Sequence, residues 1–430
     1  MAKFEQKAVL TAARLAVFAD SGALPLADWA QTRRQKALAW VKDVGLPIRR
    51  DEYWRYTDPA SLTTPEATAL TAGVQAAPEV FTAQDSLRLV FVDGVFDAQA
   101  SDPLEMDHVE ILTLQEALTS KESWIKDLYG TLEAMGQAPV ARPLAALNTA
   151  MAQQGIVVRV TGNAPRPISI IYQNVATDSD PMVHHLFKIE NGAMLTVLET
   201  GSGAARMSAV SEVDIAENGA FHHVRTQGNN AQHRAVTHCF ANLSENSLFK
   251  SFTLSAGGAL TRNECIIMIA GDNAVAHVAG AALGDGDDFH HDNTVFITHD
   301  AVGCESRQVF KNVLRNGATG VFQGKILVKS GAQQTDGYQI SQALLLGGDS
   351  QFLAKPELEI YADDVICSHG STSGAIDETA LFYLQSRGVP KARATDLLTI
   401  AFVAQALDEI DDEKLAESML ARLEDWLENR

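Results

Sequence analysis

Residues 191–220 read NGAMLTVLETGSGAARMSAVSEVDIAENGA, and this stretch begins and ends with the same Asn-Gly-Ala tripeptide, 27 residues apart. Between the two tripeptides, short apolar and β-branched runs alternate with small polar residues, and no helical spacing of apolar residues is present. Asparagine and glycine tolerate the left-handed backbone that tight turns need. The stretch therefore predicts one repeat unit of short strands joined by turns.

Turn residues recur with this period from about residue 156 to Asp363. One series falls at Gly192, Gly219, Asn246, Asp272, Val302 and Gly331, in steps of 27, 27, 26, 30 and 29. A second series falls at Ser202, Asn229, Gly257, Asp285, Gly317 and Gly348, in steps of 27, 28, 28, 32 and 31. Such a period is typical of a β-solenoid, in which stacked coils bury a core that no coil buries alone. A β-sandwich with regular turn spacing is the alternative.

The sequence on either side of the repeat has helical spacing. Helices are predicted at Asp28–Val44, Leu114–Met135, Pro143–Gln153, Ile376–Ser386, Ala392–Ala406 and Leu415–Leu427, and a strand at Leu87–Val92. We therefore predict a mainly β protein with a β-solenoid core at 156–365. An N-terminal helical and mixed domain is predicted at 1–155, and a C-terminal helical domain at 366–430.

The charge and the cysteine content of the chain exclude several classes of protein function. The 430 residues include 34 Lys and Arg against 54 Asp and Glu, a net charge of −20. Nucleic acids and anionic membranes recruit cationic proteins, so such partners are disfavoured. Four cysteines without a C-x-x-C pair exclude a disulfide scaffold and a zinc ribbon. No apolar run is long enough to cross a bilayer, and the chain is expected to be cytoplasmic with reduced thiols.

Nucleotide-binding motifs are missing from the sequence. It has neither a G-x-x-x-x-G-K-[ST] phosphate loop nor a G-x-G-x-x-G loop after a strand, and no H-E-x-x-H. Any work with ATP would therefore depend on a partner or an unfamiliar site.

The densest cluster of chemically active side chains lies where the repeat gives way to helices. Cys367 and His369 are two residues apart, so an extended strand would direct both to one face. A thiolate and an imidazole placed in this way could share a soft metal such as iron, or act as nucleophile and base. Two ligands do not complete a metal site, so a second chain would have to supply the others. A buried cysteine beside a turn-capping histidine is the simpler interpretation.

Other chemically active residues have structural interpretations. Cys239 and Cys265 are 26 residues apart, about one coil, and could stack in a core ladder. The histidine pairs at 184–185, 222–223 and 290–291 would split across a strand. His290, Asp292 and His299 could line one face with metal-ligand chemistry, although a solvated sheet face is the simpler expectation. Tyr53, Trp54 and Tyr56 are expected to pack the N-terminal domain onto the solenoid.

Ordered blocks between Phe289 and Pro390 resemble the SufB/SufD family of iron–sulfur cluster assembly proteins. The blocks are His291-Asp292-Asn293 with His299, Ser306-Arg307-Gln308, Phe322-Gln323-Gly324-Lys325-Ile326, Gln334-Thr335-Asp336-Gly337-Tyr338-Gln339, Leu344-Leu345-Leu346, Pro356-Glu357-Leu358-Glu359-Ile360, Ala362-Asp363-Asp364-Val365, Cys367-Ser368-His369-Gly370, and Leu381-Phe382-Tyr383-Leu384 with Ser386-Arg387-Gly388. The run Glu52-Tyr53-Trp54-Arg55-Tyr56-Thr57 is similar to the family's Glu-x-Trp-x-Tyr-Thr element.

The segment around His369 resembles the SufD branch more than the SufB branch. SufD members carry Cys-Ser-His-Gly here, whereas SufB members carry Cys-Thr-His-Glu, whose glutamate is implicated in cluster building. Gly370 stands in place of that glutamate. A SufB-type main scaffold is therefore disfavoured.

The resemblance implies a right-handed parallel β-helix and a non-catalytic scaffold role. It implies pairing with SufB through the β-helix and docking of the ATPase SufC on residues 366–430, with ATP hydrolysis in SufC. A transient iron–sulfur cluster would form at the junction with SufB, where His369 matches the SufD histidine that takes part. Cys367 is the second candidate ligand.

The resemblance also links the complex to a reduced flavin, but no motif marks a flavin site. The isolated chain could form a homodimer through the face that meets SufB. A β-helix protein that binds or cleaves polysaccharide is the alternative function, although no ladder of Asp or Arg follows the coil period.

Overall fold

The computed structural model describes residues 3–18, 25–71, 80–82, 84–201, 204–228 and 230–428. The helices are α1 Lys3–Ala16, α2 Asp28–Val44, α3 Ala60–Thr63, α4 Leu114–Thr119, α5 Ser123–Leu128, α6 Thr131–Met135, α7 Pro143–Met151, α8 Glu378–Ser386, α9 Lys391–Leu407 and α10 Glu413–Glu428. The strands are β1 Leu87–Val92, β2 Val95–Asp97, β3 Glu105–Met106, β4 Val109–Thr113, β5 Ile156–Val160, β6 Ile168–Gln173, β7 Met182–Ile189, β8 Met194–Gly201, β9 Arg206–Ile215, β10 Ala220–Gln227, β11 Arg234–Leu243, β12 Leu248–Ala256, β13 Leu260–Ile269, β14 Val275–Asp285, β15 His290–His299, β16 Glu305–Arg315, β17 Thr319–Val328, β18 Thr335–Leu345, β19 Gln351–Ile360 and β20 Val365–Gly374.

The strands of the repeat form a parallel β-helix, which confirms the predicted fold class. Even-numbered strands from β6 to β20 make one sheet and odd-numbered strands from β5 to β19 make the other, so each coil gives one strand to each sheet. Neighbouring strands within a sheet are parallel, as in β14 with β16 and β15 with β17. Both sheets are prolonged at their N-terminal end by short strands, including the antiparallel strands β2, β3 and β4.

The predicted turn positions agree with the structure. In the described part of the chain, the marker residues of both series lie in the turns between strands, except Asp285, which is the last residue of β14. Ser202 and Asn229 lie outside the described residues. The period read from the sequence is therefore the length of one coil.

Most flanking elements also match their predictions. The helix at Asp28–Val44 has the predicted limits, and Gly45 ends it with a φ of 74°. The single helix predicted at Leu114–Met135 is wrong, because the chain forms α4, α5 and α6 there. Ser120 ends α4 in extended geometry, and Gly130 precedes α6 with a φ of 64°. These two backbone conformations interrupt the helical path.

The end of the repeat lies further along the chain than the predicted limit at 365. Residues Val365–Gly374 form a strand that pairs in parallel with β18, and the helices begin only at Glu378. Cys367 and His369 therefore belong to the last coil of the β-helix. The three-domain division remains a prediction.

Apolar side chains fill the space between the two sheets and cover both outer faces. Inside, rings stack from coil to coil, with Phe221 centred 5.3 Å from Phe187 and 5.8 Å from Phe249. The C-terminal helices pack on the outer face of the even-numbered sheet, where Val403 and Met419 join a buried cluster with Phe252. Segments of the N-terminal region pack on the odd-numbered sheet. Among the described residues, no helix is both long and apolar enough to span a bilayer.

Candidate functional site

The last coil of the β-helix is formed by β19 and β20. Each lies at the edge of its sheet, paired on one side only among the described strands, with β17 and β18 respectively. Edge strands present unpaired backbone N–H and C=O groups that another chain can extend. Large apolar side chains are exposed beside these edges, with Ile366 at 73% and Tyr361 at 61% of full exposure. The coil therefore has the properties of an interaction surface.

Cys367 and His369 lie on β20 and face the interior side of this open coil. Cys367 pairs in register with Gly337 of β18, and His369 pairs with Gln339. Gly337 and Gln339 are both buried, and Cys367 packs against an interior cluster that includes Ile326. The cysteine is partly buried, whereas the histidine is exposed. Residues two apart on a strand share a face, as the spacing predicted.

The preceding coil forms a floor beneath these two side chains. A Cβ placed on Gly337 would lie 3.1 Å from Cys367 Sγ, so the glycine gives the thiol its room. Gln339 Nε2 donates a hydrogen bond of 2.8 Å to Gln308 Oε1 in the coil below. The sequence motifs alone did not indicate a role for Gln339 or Gly337. Each lies 30 residues before its partner on β20, one coil away, so the period could have identified both.

Cys367 and His369 are two side chains of types that can bind metal, fewer than a metal ion ordinarily needs. Burial raises the pKa of the Cys367 thiol, the backbone N–H of Gly337 opposes that shift, and Asp336 adds to it. Binding a metal would therefore require the thiol to release a proton. Within the described ranges, no group of three or more His, Cys, Asp or Glu side chains is arranged to hold a metal ion.

The N-terminal aromatic segment holds the outer face of β19. Tyr53 OH donates to Glu357 Oε2 at 2.7 Å, and Lys355 Nζ lies 2.8 Å from Glu52 Oε1. Burial, together with the hydrogen bond to Glu357, raises the pKa of Tyr53 to about 12. The predicted packing on the solenoid is confirmed for Tyr53 and Trp54. This contact ties the N-terminal region to the coil that carries the candidate ligands.

A buried ion network continues this contact into the middle coils. Arg262 lies 2.5 Å from Asp292 and 2.8 Å from Glu264, and its guanidinium stacks 4.1 Å from the centre of Trp54. Arg142 pairs with Glu264 at 2.9 Å. Burial alone would raise the pKa of Glu264, but Arg262, then His238 and Arg142, hold it at about 2.

This network corrects one expectation from the sequence. The face that carries His290 and Asp292 is not solvated, because Asp292 is fully buried and accepts from Thr57 Oγ1 at 2.5 Å. His299 is not on that face. It is odd-numbered, like the interior residues of β15, and its Nε2 lies 2.8 Å from Ser306 Oγ.

Four of the remaining candidates, His184, His185, Cys239 and Cys265, have structural contacts. His184 lies 2.9 Å from Glu212, whereas His185 lies 2.9 Å from the hydroxyl of Tyr172 in the interior. This pair splits across its strand, as predicted. Cys239 and Cys265 are direct partners on β11 and β13, which confirms that they stack in adjacent coils.

Comparison with known proteins covers nearly the whole chain. Residues 173–402 match the family described as the SUF system FeS cluster assembly, SufBD core domain, and residues 25–170 match the SufBD protein N-terminal region. The iron–sulfur cluster assembly protein SufD of Escherichia coli is 30% identical over 399 residues, covering 90% of this chain and 91% of its own length. A SufBD family protein of Synechocystis is 27% identical over 409 residues, covering 88% and 87%. The SufD of Bacillus subtilis is 24% identical over 294 residues, covering 65% and 66%.

Proposed function

Because the chain belongs to the SufB/SufD family of iron–sulfur cluster assembly proteins, as a SufD-type member, we propose that it is a scaffold subunit that offers ligands to a nascent cluster. It contributes His369, and Cys367 as a second donor, at a junction with a SufB-type partner. The cluster is the cargo of this assembly and is passed on. The observation that carries the proposal is the position of both side chains on the edge strand β20, which among the described strands pairs only with β18, at the open coil.

The geometry supports a site that two chains complete. One thiol and one imidazole satisfy only part of the coordination of an iron–sulfur cluster, which ordinarily takes several thiolates. The unpaired edges of β19 and β20, with exposed Ile360, Tyr361 and Ile366 beside them, favour extension by strands of a partner. A junction of this kind shields the ligands from water. The neutral imidazole of His369 donates a nitrogen lone pair to iron, and Cys367 binds as the thiolate.

The C-terminal helices are the proposed docking surface for a SufC-type ATPase. Helix α8 buries none of its residues, and Phe382 and Tyr383 are exposed at 72% and 55%. ATP hydrolysis then takes place in the partner, and rearrangement reaches the last coil through the short linker 375–377. A reduced flavin on the complex also stays a prediction, and no described residue is assigned to it.

The ligand role is tested by His369→Ala in cells that depend on this chain for iron–sulfur maturation. Activity of a reporter iron–sulfur enzyme is expected to fall strongly, while co-purification with SufB and SufC persists. Ser371→Ala is the matched control, because Ser371 lies on the same strand and face and carries no metal-binding group. Normal reporter activity in His369→Ala would reject the ligand role. Loss of co-purification would assign the histidine to assembly instead.

The partner role is tested separately by co-expression with SufB and SufC and analysis of iron and sulfide in the purified complex. A ternary complex that carries both elements is expected. Ile366→Asp should weaken it, because the change places a charge on the exposed edge of β20 while leaving the coil interior intact. A chain that purifies without either partner would contradict the proposed role.

A further inference from the structure

Gln339 lies directly beneath His369, one coil further into the β-helix. The two residues are register partners on β18 and β20, so their side chains belong to the same interior column. Neighbouring strands are about 4.8 Å apart, which brings like-facing side chains of successive coils into contact range. Gln339 is fully buried, whereas His369 is exposed at the open end. Gln339 is therefore the polar residue directly below the imidazole in the interior column.

Only the nitrogen of the Gln339 side-chain amide has a hydrogen-bond partner among the described residues. Its Nε2 donates to Gln308 Oε1 at 2.8 Å, and a Cβ at Gly324 would come within 2.0 Å of the same nitrogen. The nitrogen is thus held toward the interior, in space that Gly324 leaves open. Its Oε1 is buried and has no hydrogen-bond partner among the described residues. An unpaired buried acceptor is unfavourable, so this oxygen is available to a donor from the adjoining coil.

We propose that Gln339 is a positioning residue for His369, and that its Oε1, which has no partner in this structure, accepts a hydrogen bond from an imidazole N–H when the exposed ring turns toward it. A histidine that binds metal typically donates its other ring N–H to a carbonyl or carboxylate, which fixes the tautomer and the orientation of the ring. Gln339 supplies this acceptor, and its Nε2 is occupied by the hydrogen bond to Gln308 Oε1. The ring nitrogen that is not protonated then faces the open end with its lone pair available. The consequence for iron rests on the proposed function, whereas the hydrogen bond itself does not.

The hydrogen bond is tested on the purified chain without partners or cluster. Histidine is labelled with ¹⁵N, the His369 signals are assigned by their loss in His369→Ala, and the tautomer ratio is measured at a pH where the imidazole is neutral. One hydrogen bond of about 1.4 kcal/mol corresponds to a tenfold preference. Wild type is therefore expected to show one tautomer in about tenfold excess. In Gln339→Leu the ratio should move toward that of free histidine.

Two further variants distinguish loss of the hydrogen bond from a change in packing around His369. Gln339→Glu keeps an acceptor and should keep the tautomer preference, whereas Gln339→Met fills the space without one and should behave like the leucine variant. Ser341→Ala is the matched control, because Ser341 is buried on the same interior face and bonds to Ser371 Oγ at 3.1 Å rather than to His369. An equal tautomer ratio in wild type, Gln339→Leu and Gln339→Met would overturn the proposal.

A second measurement separates this inference from the proposed function. Iron retained by the complex purified with SufB and SufC is expected to fall about tenfold in Gln339→Leu and to recover in Gln339→Glu, because outer-shell partners contribute about 10–100-fold to metal affinity. If His369→Ala leaves iron unchanged, the ligand role fails while the tautomer data still decide the hydrogen bond. If only the Gln339 variants leave iron unchanged, the ligand role stands and the positioning role fails.

Discussion

Acidification is expected to unfold this protein between about pH 6 and pH 4, because the fold keeps a set of histidines neutral. Burial lowers the pKa of each to well below its ordinary value. The pKa values are about 4 for His185, His233, His238 and His299, and about 3 for His291. In the unfolded chain each imidazole has a pKa of about 6.5. The unfolded state therefore binds these protons first as the pH falls.

The size of the effect follows from proton counting. Near pH 5, each of these five imidazoles is almost fully protonated when unfolded. When folded, four are about one-tenth protonated and His291 about one-hundredth, so the difference is about 4.5 protons in total. The free energy of unfolding should then fall by about 6 kcal/mol per pH unit. Because the folded pKa values are depressed, this stability is fully present above about pH 6.5 and is lost below it. A stability of about 5–15 kcal/mol would be exhausted before pH 4.

Urea unfolding followed by far-UV circular dichroism between pH 7.5 and pH 5 measures this slope. His299→Leu should reduce it by about one-fifth, because one of the five buried imidazoles is removed. Ser371→Ala is the control, since Ser371 lies exposed on the last strand, carries no titratable group and should leave the slope unchanged. A slope below about 2 kcal/mol per pH unit would refute the reasoning. It would mean that the buried histidines are protonated within the fold.

Three substitutions test the packing around the site. Arg262→Leu removes one partner from a buried ion pair and should cost about 3–5 kcal/mol in urea unfolding; a cost under about 1 kcal/mol would show that Asp292 finds other partners. Lys329→Ala removes an exposed ion pair with Asp300 and should lower the free energy of unfolding by less than about 1 kcal/mol. A larger loss would contradict the low value expected of an exposed pair. Gly337→Ala places a Cβ 3.1 Å from Cys367 Sγ and should push the thiol outward. Alkylation of Cys367, followed by peptide mass spectrometry, should then be faster than in wild type. An unchanged rate would contradict the inference that Gly337 leaves room for the Cys367 thiol.

The coil period and the strand spacing could both be read from the sequence. Left-handed turn positions favour Asn and Gly, so Gly192 and Asn246, with φ of 66° and 53°, marked the period through local chemistry alone, while at the turn between them Asn218 rather than Gly219 is left-handed. The shared face of Cys367 and His369 followed from the alternation of side chains along a strand. Gly45 likewise marked the end of α2. These features depend on residues close together in the chain.

Features that depend on distant residues were missed. Arg262 pairs with Asp292, and Tyr53 and Trp54 pack over Arg262 on the same face of the sheet. Tyr53 and Trp54 lie more than 200 residues from Asp292 in the sequence. Nothing near Asp292 in the chain indicates this cover. The limit at 365 was also placed before the last strand, because the small polar residues of β20 lack the apolar alternation of earlier coils. An edge strand with one face open needs less apolar character.

The two ends of the β-helix differ, and this difference sets how many neighbours it can have. At the N-terminal end both sheets finish in short antiparallel strands, β2 of three residues and β3 of two. Short edges of this kind are poor templates for further pairing. At the other end β19 and β20 each offer ten residues of open edge. Among the described strands, the long open edges therefore lie at one end only. Pairing of two such bodies through these ends would cover the long edges of both and would leave a third body only the short edges of β2 and β3.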